Sequence, residues 1–214
     1  MIPSVLPTYN RAPLAFVTGA GAWLTTGAMF GLNLIGLAVL LGALTLWQKV
    51  SGVGDPVAFE MFPTKYLIPL AVLAAPLLEE TVFRGWLRGR PRSLWRMVCL
   101  ISAIAIPMLT PLSPNQTVAV LVATLVAALG GWLALRKRLA AAWFTGNFTA
   151  IFYASAAIFG LVHVFNYGAV TPAVLPMILP QVWAGLTLGF LRLRVGLPAA
   201  MLVHGASNAL ALTL

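Results

Sequence analysis

Long runs of apolar residues divide the chain, and they constrain its fold more than any other feature of the sequence. A membrane-spanning helix needs about 20 mostly apolar residues, because its backbone polar groups must be satisfied within the helix. The longest run, residues 12–47, contains no charged residue. Six further runs, predominantly apolar, occupy residues 66–87, 94–112, 117–135, 143–165, 173–191 and 197–214. The sequence therefore predicts an all-α fold, a polytopic transmembrane helix bundle.

The composition supports the same class. Of the 214 residues, 61% are hydrophobic and 8% are charged, whereas a soluble domain carries about 25% charged residues. The formal net charge is +9, which in a soluble protein would suggest a nucleic-acid partner. Here the basic residues form short clusters between apolar runs, so membrane topology explains them and we expect no nucleic-acid partner.

The positions of the basic clusters predict the orientation of the bundle. Three connections are basic and two intervening connections, 110–116 and 166–171, carry no charge. Because cytoplasmic loops are enriched in Lys and Arg, we expect the basic connections to face the cytoplasm. We predict seven spans, or eight if the first run breaks near Gly31 and Gly36. The basic residues of the three connections are Arg88, Arg90, Arg92 and Arg96, then Arg136, Lys137 and Arg138, and finally Arg192 and Arg194.

The predicted organisation has two parts. Residues 1–65 would form an anchor, retained rather than cleaved as a signal peptide, followed by an extracytoplasmic loop. Residues 66–214 would form the functional bundle.

Two of the four acidic residues, Glu79 and Glu80, lie inside the apolar run 66–87. Glu79 precedes Arg88 by nine residues, which places it roughly 13 Å from the cytoplasmic end of a helix. A charge at such a depth costs about 2.5 to 3.5 kcal/mol, so intramembrane carboxylates usually have a role. Glu80 and Arg84 are spaced i, i+4 and can pair on one helix face. Glu79 points about 100° away from Glu80 around the helix axis, and it has no such partner in its own helix. A structural ion network remains the alternative interpretation, mainly for Glu80 and Arg84.

Both histidines of the chain also lie in apolar runs. His163 follows Phe159 by four residues, and Asn208 follows His204 by four, so each pair shares a helix face. His204 lies roughly 15 Å from the cytoplasmic end, at the depth of Glu79, whereas His163 lies about 24 Å deep if its helix begins near Asn147. A tilted or partly broken helix would bring His163 closer to the other residues.

Several chemistries suit this set of residues. A carboxylate and a histidine can activate a water, and a second histidine with an asparagine can donate hydrogen bonds to an oxyanion. The same histidines and Glu79 could instead bind zinc, although no HExxH pairing is present and Asn208 is a poor zinc ligand. Ser155 and Ser207 also lie in spans, but we expect neither to be a nucleophile. A proton-coupled transporter would more often show repeats and broken helices, and the sequence shows neither.

Three ordered motifs, EETVFR, FGLVH and HGASN, resemble the EExxxR, FxxxH and HxxxN motifs of the CPBP family. These are the CAAX-protease and bacteriocin-processing membrane proteins, which are related to the type II CAAX prenyl endopeptidases. The resemblance covers about residues 67 to 210 and implies an intramembrane endopeptidase. Its implied partners are membrane lipid and a peptide or protein substrate, which some family members take in lipidated form. Its implied location is a bacterial inner membrane, with the site open to the cytoplasm.

The resemblance also implies a role for each motif residue. Glu79 and His163 would activate the water, and His204 and Asn208 would form the oxyanion hole. Glu80, Arg84 and Phe159 would support them. No cofactor is then expected, with zinc as the alternative.

One departure from compact family members is the longer separation of Glu79 from His163. It predicts an extra helical hairpin at residues 94–135. Some family members act in bacteriocin immunity or as scaffolds without demonstrated proteolysis, so a non-catalytic membrane protein is the competing hypothesis.

Overall fold

A computed structural model of the protein describes residues 16–57 and 63–213. Helices and turns make up these two ranges, and no strand occurs in them. The predicted all-α fold is confirmed for this part of the chain. Arg11 and Glu60 lie outside the described residues.

Six helices of the described ranges are long and apolar enough to cross a membrane, judged by length and composition. The seventh predicted run forms a shorter helix, α9 (Leu197–Ala211), of 15 residues. The chain is therefore an integral membrane protein, while the count of seven or eight spans stays a prediction. The six candidate spans are Gly19–Ser51, Lys65–Arg84, Pro91–Leu109, Pro114–Leu135, Phe148–Asn166 and Pro172–Arg194.

The first helix, α1 (Gly19–Ser51), runs without a break and ends at Gly52, which adopts a left-handed conformation. Gly31 and Gly36 therefore do not mark a break between two spans. Gly36 instead lies directly under the indole ring of Trp183, where a Cβ atom would collide with it. The second span consists of α2 (Thr64–Pro69), a π-helical turn (Leu70–Ala74) and α3 (Ala75–Arg84).

The chain divides into two compact units. Gly85–Asn147 is one unit, and it contains a helical hairpin of α4 (Pro91–Leu109) and α5 (Pro114–Leu135), followed by the short α6 (Ala142–Gly146). That the hairpin is an addition relative to compact family members stays a prediction. The other unit comprises the described residues up to Arg84 and from Phe148 onward. Its later elements are α7 (Phe148–Leu161), 3-10 turns at Val162–Asn166 and Pro172–Ile178, α8 (Leu179–Arg194) and α9 (Leu197–Ala211).

A buried polar cluster joins α1 to α8 and α9. Asn33 is 1% exposed, and its amide nitrogen donates to the Ser207 hydroxyl at 3.0 Å. Its amide oxygen accepts a hydrogen bond from Thr187 at 2.8 Å. A polar group in an apolar interior is costly unless it is hydrogen-bonded. These two bonds therefore fix the position of α1 against α8 and α9.

Helix α9 packs very closely on the π-helical turn at Gly205. A Cβ atom there would lie 2.5 Å from the Val72 carbonyl oxygen and near the Pro76 ring. Only a residue without a side chain lets the two elements approach to this distance. The packing therefore sets the distance between α9 and the helix that carries the two glutamates.

We predict that Gly205→Ala destabilises the protein by about 1–3 kcal/mol, the usual cost of overpacking. The matched control is Gly27→Ala in α1, where a Cβ atom meets nothing within 4 Å. Thermal unfolding of both variants in detergent checks this. Equal midpoints for the two variants would contradict the packing argument.

Candidate functional site

The helix that carries the glutamates begins with an irregular turn. The Ala75 amide donates to the Leu70 carbonyl, an i, i+5 bond of the π-helical type. In the same pattern the partner of the Ala71 carbonyl would be Pro76, which has no N–H. That carbonyl is therefore available, and it accepts a hydrogen bond from the Asn208 amide nitrogen at 2.8 Å. Single π-helical turns of this kind occur frequently at functional sites.

Glu80 and Arg84 form the ion pair that their spacing predicts. An Arg84 guanidinium nitrogen lies 2.5 Å from the Glu80 Oε1 atom, and the side chains of Arg84 and Glu80 are 1% and 0% exposed. The Arg84 guanidinium also lies 3.9 Å from the centre of the Phe159 ring. Its backbone carbonyl accepts a hydrogen bond from Arg192 of α8. The pairing prediction for Glu80 and Arg84 is confirmed.

His204 lies between the two glutamates, which the sequence did not predict. Its Nδ1 atom is 2.9 Å from Glu80 Oε1, and its Nε2 atom is 3.8 Å from Glu79 Oε2. A carboxylate that pairs with Arg84, as Glu80 does, accepts hydrogen bonds only, so Nδ1 is the donor in this contact. The tautomer of His204 is therefore fixed by Glu80. The Nε2 atom faces Glu79 at a separation longer than a direct hydrogen bond.

His163 lies in the 3-10 turn that follows α7, where the helix changes pitch after Leu161. Its Nδ1 atom is 2.7 Å from the Phe159 carbonyl oxygen. Because a carbonyl only accepts, Nδ1 carries the proton and Nε2 keeps a lone pair in the neutral ring. His163 interacts electrostatically with Glu79, His204 and Arg84. The change of helix type before His163 is the partial break that would bring it towards the other residues.

Phe159 is the common neighbour of these groups. Its ring is 1% exposed, and it meets the imidazoles of His163 and His204 edge to face, with ring centres 4.8 Å and 6.0 Å away. Phe83 packs against it in the same manner at 5.1 Å. Since both histidines contact one ring, they lie on the same side of the bundle. The structure thus brings Glu79, Glu80, Arg84, His163 and His204 together.

The structure shows two contacts of the site residues that the sequence did not predict. The ion-pair contact of Glu79 is with His204, while Asn208 holds the π-helical turn through Ala71. One of the two amide hydrogens of Asn208 is therefore committed to the backbone. Whether these residues act in catalysis stays a prediction.

Both serines of the spans have structural hydrogen bonds. Ser155 donates to the Phe83 carbonyl at 2.9 Å, which fixes α7 against the helix of the glutamates. Ser207 donates to the Val203 carbonyl and accepts from Asn33.

Sequence reasoning missed Asn33 as a site-supporting residue. Its signal was a lone amide side chain inside a charge-free run.

The histidines and glutamates of the site are also the side chains that could bind a metal ion. Within residues 16–57 and 63–213, no three His, Cys, Asp or Glu side chains converge in a way that could hold one. A zinc site built on His204 would place the ion beside Glu79 through Nε2, because Nδ1 is directed at Glu80.

Comparison with known proteins gives a family match. The family model described as type II CAAX prenyl endopeptidase Rce1-like matches residues 62–145 and 137–210. Together these segments cover more than half of the chain and include all three motifs. Helix α1 lies outside the matched segments.

A curated protein matches a short segment. Acetylornithine aminotransferase from Rhodobacter capsulatus is 77% identical over 26 residues, which is 12% of this chain and 7% of that protein. So short a segment of the aminotransferase carries no argument about function. No solved structure matches the chain.

We predict that Arg84→Ala lowers stability by about 3–5 kcal/mol, because it leaves the buried Glu80 without its partner. Yield of folded protein and the unfolding midpoint in detergent measure this. Arg96→Ala removes an exposed arginine and serves as the control. The double variant Glu80→Leu/Arg84→Met removes both charges and should recover part of the lost stability. A single Arg84→Ala variant as stable as the control would show that the pair has no structural role.

Proposed function

Since the chain belongs to the Rce1-like family of type II CAAX prenyl endopeptidases, we propose that it is an intramembrane endopeptidase that uses an activated water. The observation that carries the proposal is that His163 and His204 contact one buried phenylalanine while His204 also faces Glu79. Membrane protease activity is the general function of the family. The roles of the individual residues below are part of our proposal.

In the proposed reaction, Glu79 is the general base. It is the more exposed glutamate of the pair, with 29% of its side chain exposed, whereas Glu80 is fully buried and paired. Glu79 takes a proton from a water whose second hydrogen bond is accepted by His163 Nε2, the free lone pair of that ring. The hydroxide formed attacks the carbonyl carbon of the scissile peptide bond. The protonated Glu79 then gives its proton to the leaving amine, so the carboxylate is regenerated.

His204 and Asn208 are the proposed donors to the oxyanion of the tetrahedral intermediate. A donor of this kind contributes roughly 3 to 4 kcal/mol to the stabilisation of the transition state. His204 Nδ1 already donates to Glu80, so Nε2 can donate only if the ring carries both protons. Glu80 on one side of the ring and the oxyanion on the other would balance that charge, because Glu79 carries the proton of the water at this stage. Asn208 would use the amide hydrogen that Ala71 does not accept.

The proposed substrates are peptides or proteins at the membrane, including lipidated ones. The proposed location is a bacterial inner membrane, with cleavage at the cytoplasmic side, because the basic connections favour that orientation. A prenylated substrate would require a host that prenylates proteins. Glu79 and His204 lie about one half of a span from the basic residues at the cytoplasmic ends of their helices. That depth fits substrates that enter from the cytoplasmic side.

We predict that Glu79→Gln abolishes hydrolysis, with a loss of about 100- to 10,000-fold, while the yield of folded protein stays near that of the wild type. Quantitative peptidomics of a deletion strain complemented with wild type or variant measures cleavage even while the substrate is unidentified. Asp55→Asn is the control, because it changes an exposed carboxylate to an amide in the loop after α1. A peptide profile of Glu79→Gln identical to the wild type would favour the non-catalytic hypothesis.

We predict that hydrolysis requires no metal. Elemental analysis of the purified protein, together with activity before and after dialysis against a chelator, tests this. Activity should persist through chelation, since a carboxylate and two imidazoles already supply the base and the hydrogen bonds. Stoichiometric zinc, with activity lost to the chelator and restored by zinc, would establish a metalloprotease that uses the same residues.

A further inference from the structure

The unit Gly85–Asn147 has an unusual charge composition. It contains seven basic residues and no Asp or Glu, and the last acidic residue of the whole chain is Glu80. Arg88 is buried. The other six are exposed or half-exposed and form what we call the basic patch: Arg90, Arg92, Arg96, Arg136, Lys137 and Arg138.

The fold of this unit brings the two halves of the basic patch to the same end of the hairpin. The Trp95 indole of α4 donates to the Ala127 carbonyl of α5 at 2.8 Å, and Gly131 lies directly against the same indole. The chain therefore leaves α5 beside the start of α4. Beyond the helices, the Ala141 amide donates to the Gly89 carbonyl at 3.2 Å. The segment that follows the second half of the patch is thus joined to the segment that precedes the first.

Two large apolar side chains adjoin the basic patch and are also exposed. Leu139 is 88% exposed and Trp143 is 61% exposed. Trp143 packs edge to face on Phe144 at 5.6 Å, and Phe144 is fully buried. Phe144 in turn lies against Gly89, a residue with a positive φ of 63°. Trp143 is therefore fixed beside the patch, and tryptophan side chains at span ends lie at the level of the lipid headgroups.

We infer that the basic patch binds the phosphate headgroups of anionic phospholipids on the side that the charge bias assigns to the cytoplasm. The orientation bias alone requires only enough Lys and Arg near the ends of the spans. It does not require that two clusters adjoin, that they lack a carboxylate within the unit, or that an anchored tryptophan lies beside them. Binding of an anionic phospholipid accounts for all three observations. Its headgroup supplies the negative charge that the unit lacks, and its acyl region lies next to the apolar side chain of the tryptophan. This inference is independent of the proposed catalytic residues.

The experiment uses the full-length protein in detergent, titrated separately with phosphatidylglycerol and phosphatidylcholine. Native mass spectrometry counts the bound lipids and gives their affinities. Each cation near an anionic surface contributes roughly a factor of five to affinity. We therefore expect Arg136→Gln/Lys137→Gln/Arg138→Gln to weaken phosphatidylglycerol binding on the order of 100-fold, with phosphatidylcholine binding unchanged.

Two further variants make the result specific. Arg136→Lys/Arg138→Lys keeps the charge and should retain the preference for phosphatidylglycerol. Lys49→Gln/Lys65→Gln removes two cations from the other unit and should leave binding as in the wild type. Higher salt should reduce the wild-type preference. The inference is overturned if the triple variant binds phosphatidylglycerol as the wild type does, or if inorganic phosphate at equal concentration displaces the lipid. It is also overturned if Lys49→Gln/Lys65→Gln causes an equal loss.

Discussion

The unit that comprises the described residues up to Arg84 and from Phe148 onward depends on one series of buried contacts. In it Arg84 pairs with Glu80, and Glu80 accepts a hydrogen bond from His204. Burying an ion without a partner costs several kcal/mol, so each member of this series requires the next one to be in position. Arg84 and Glu80 belong to α3, and His204 belongs to α9. The pairing therefore holds two helices at a fixed rotation about their axes, which apolar contacts alone would define less sharply in lipid.

Two other contacts keep those helices in register. Asn208, one turn after His204, is bonded to the carbonyl that Pro76 leaves available. Ser207 connects α9 to Asn33 of α1, a helix outside the segments that match the family. Polar residues that look like isolated exceptions in apolar runs are thus connected to one another. Burying any one of them without a partner would cost free energy, and the connected set specifies one arrangement of the helices.

The sequence predicted the helices and the contacts within them, because its strongest signals are local. Apolar run lengths predicted the helices, and the i, i+4 spacing predicted the Glu80–Arg84 pair. The motifs identified the residues that converge on Phe159. The relations between helices were not predictable in the same way. The position of His204 between two glutamates depends on the rotation of α9, and the 3-10 turn at His163 depends on packing around α7. Asn33 gave no comparable signal because its partners are more than 150 residues away in the chain.

The π-helical turn at Leu70–Ala74 has a consequence for how the site tolerates changes in chain length. Such a turn accommodates one residue more than a regular α-helical turn. Removing Val72, Leu73 or Ala74 would restore a regular α-helical turn and leave the rotation of α3 relative to α2 unchanged. Pro76 would still offer no N–H, so the Ala71 carbonyl would stay available to Asn208. A residue lost from α3 before Glu79 has no such turn to absorb it, and its loss would rotate both glutamates by about 100°. The site is therefore expected to tolerate the loss of one residue in the π-helical turn but not between Ala75 and Glu79.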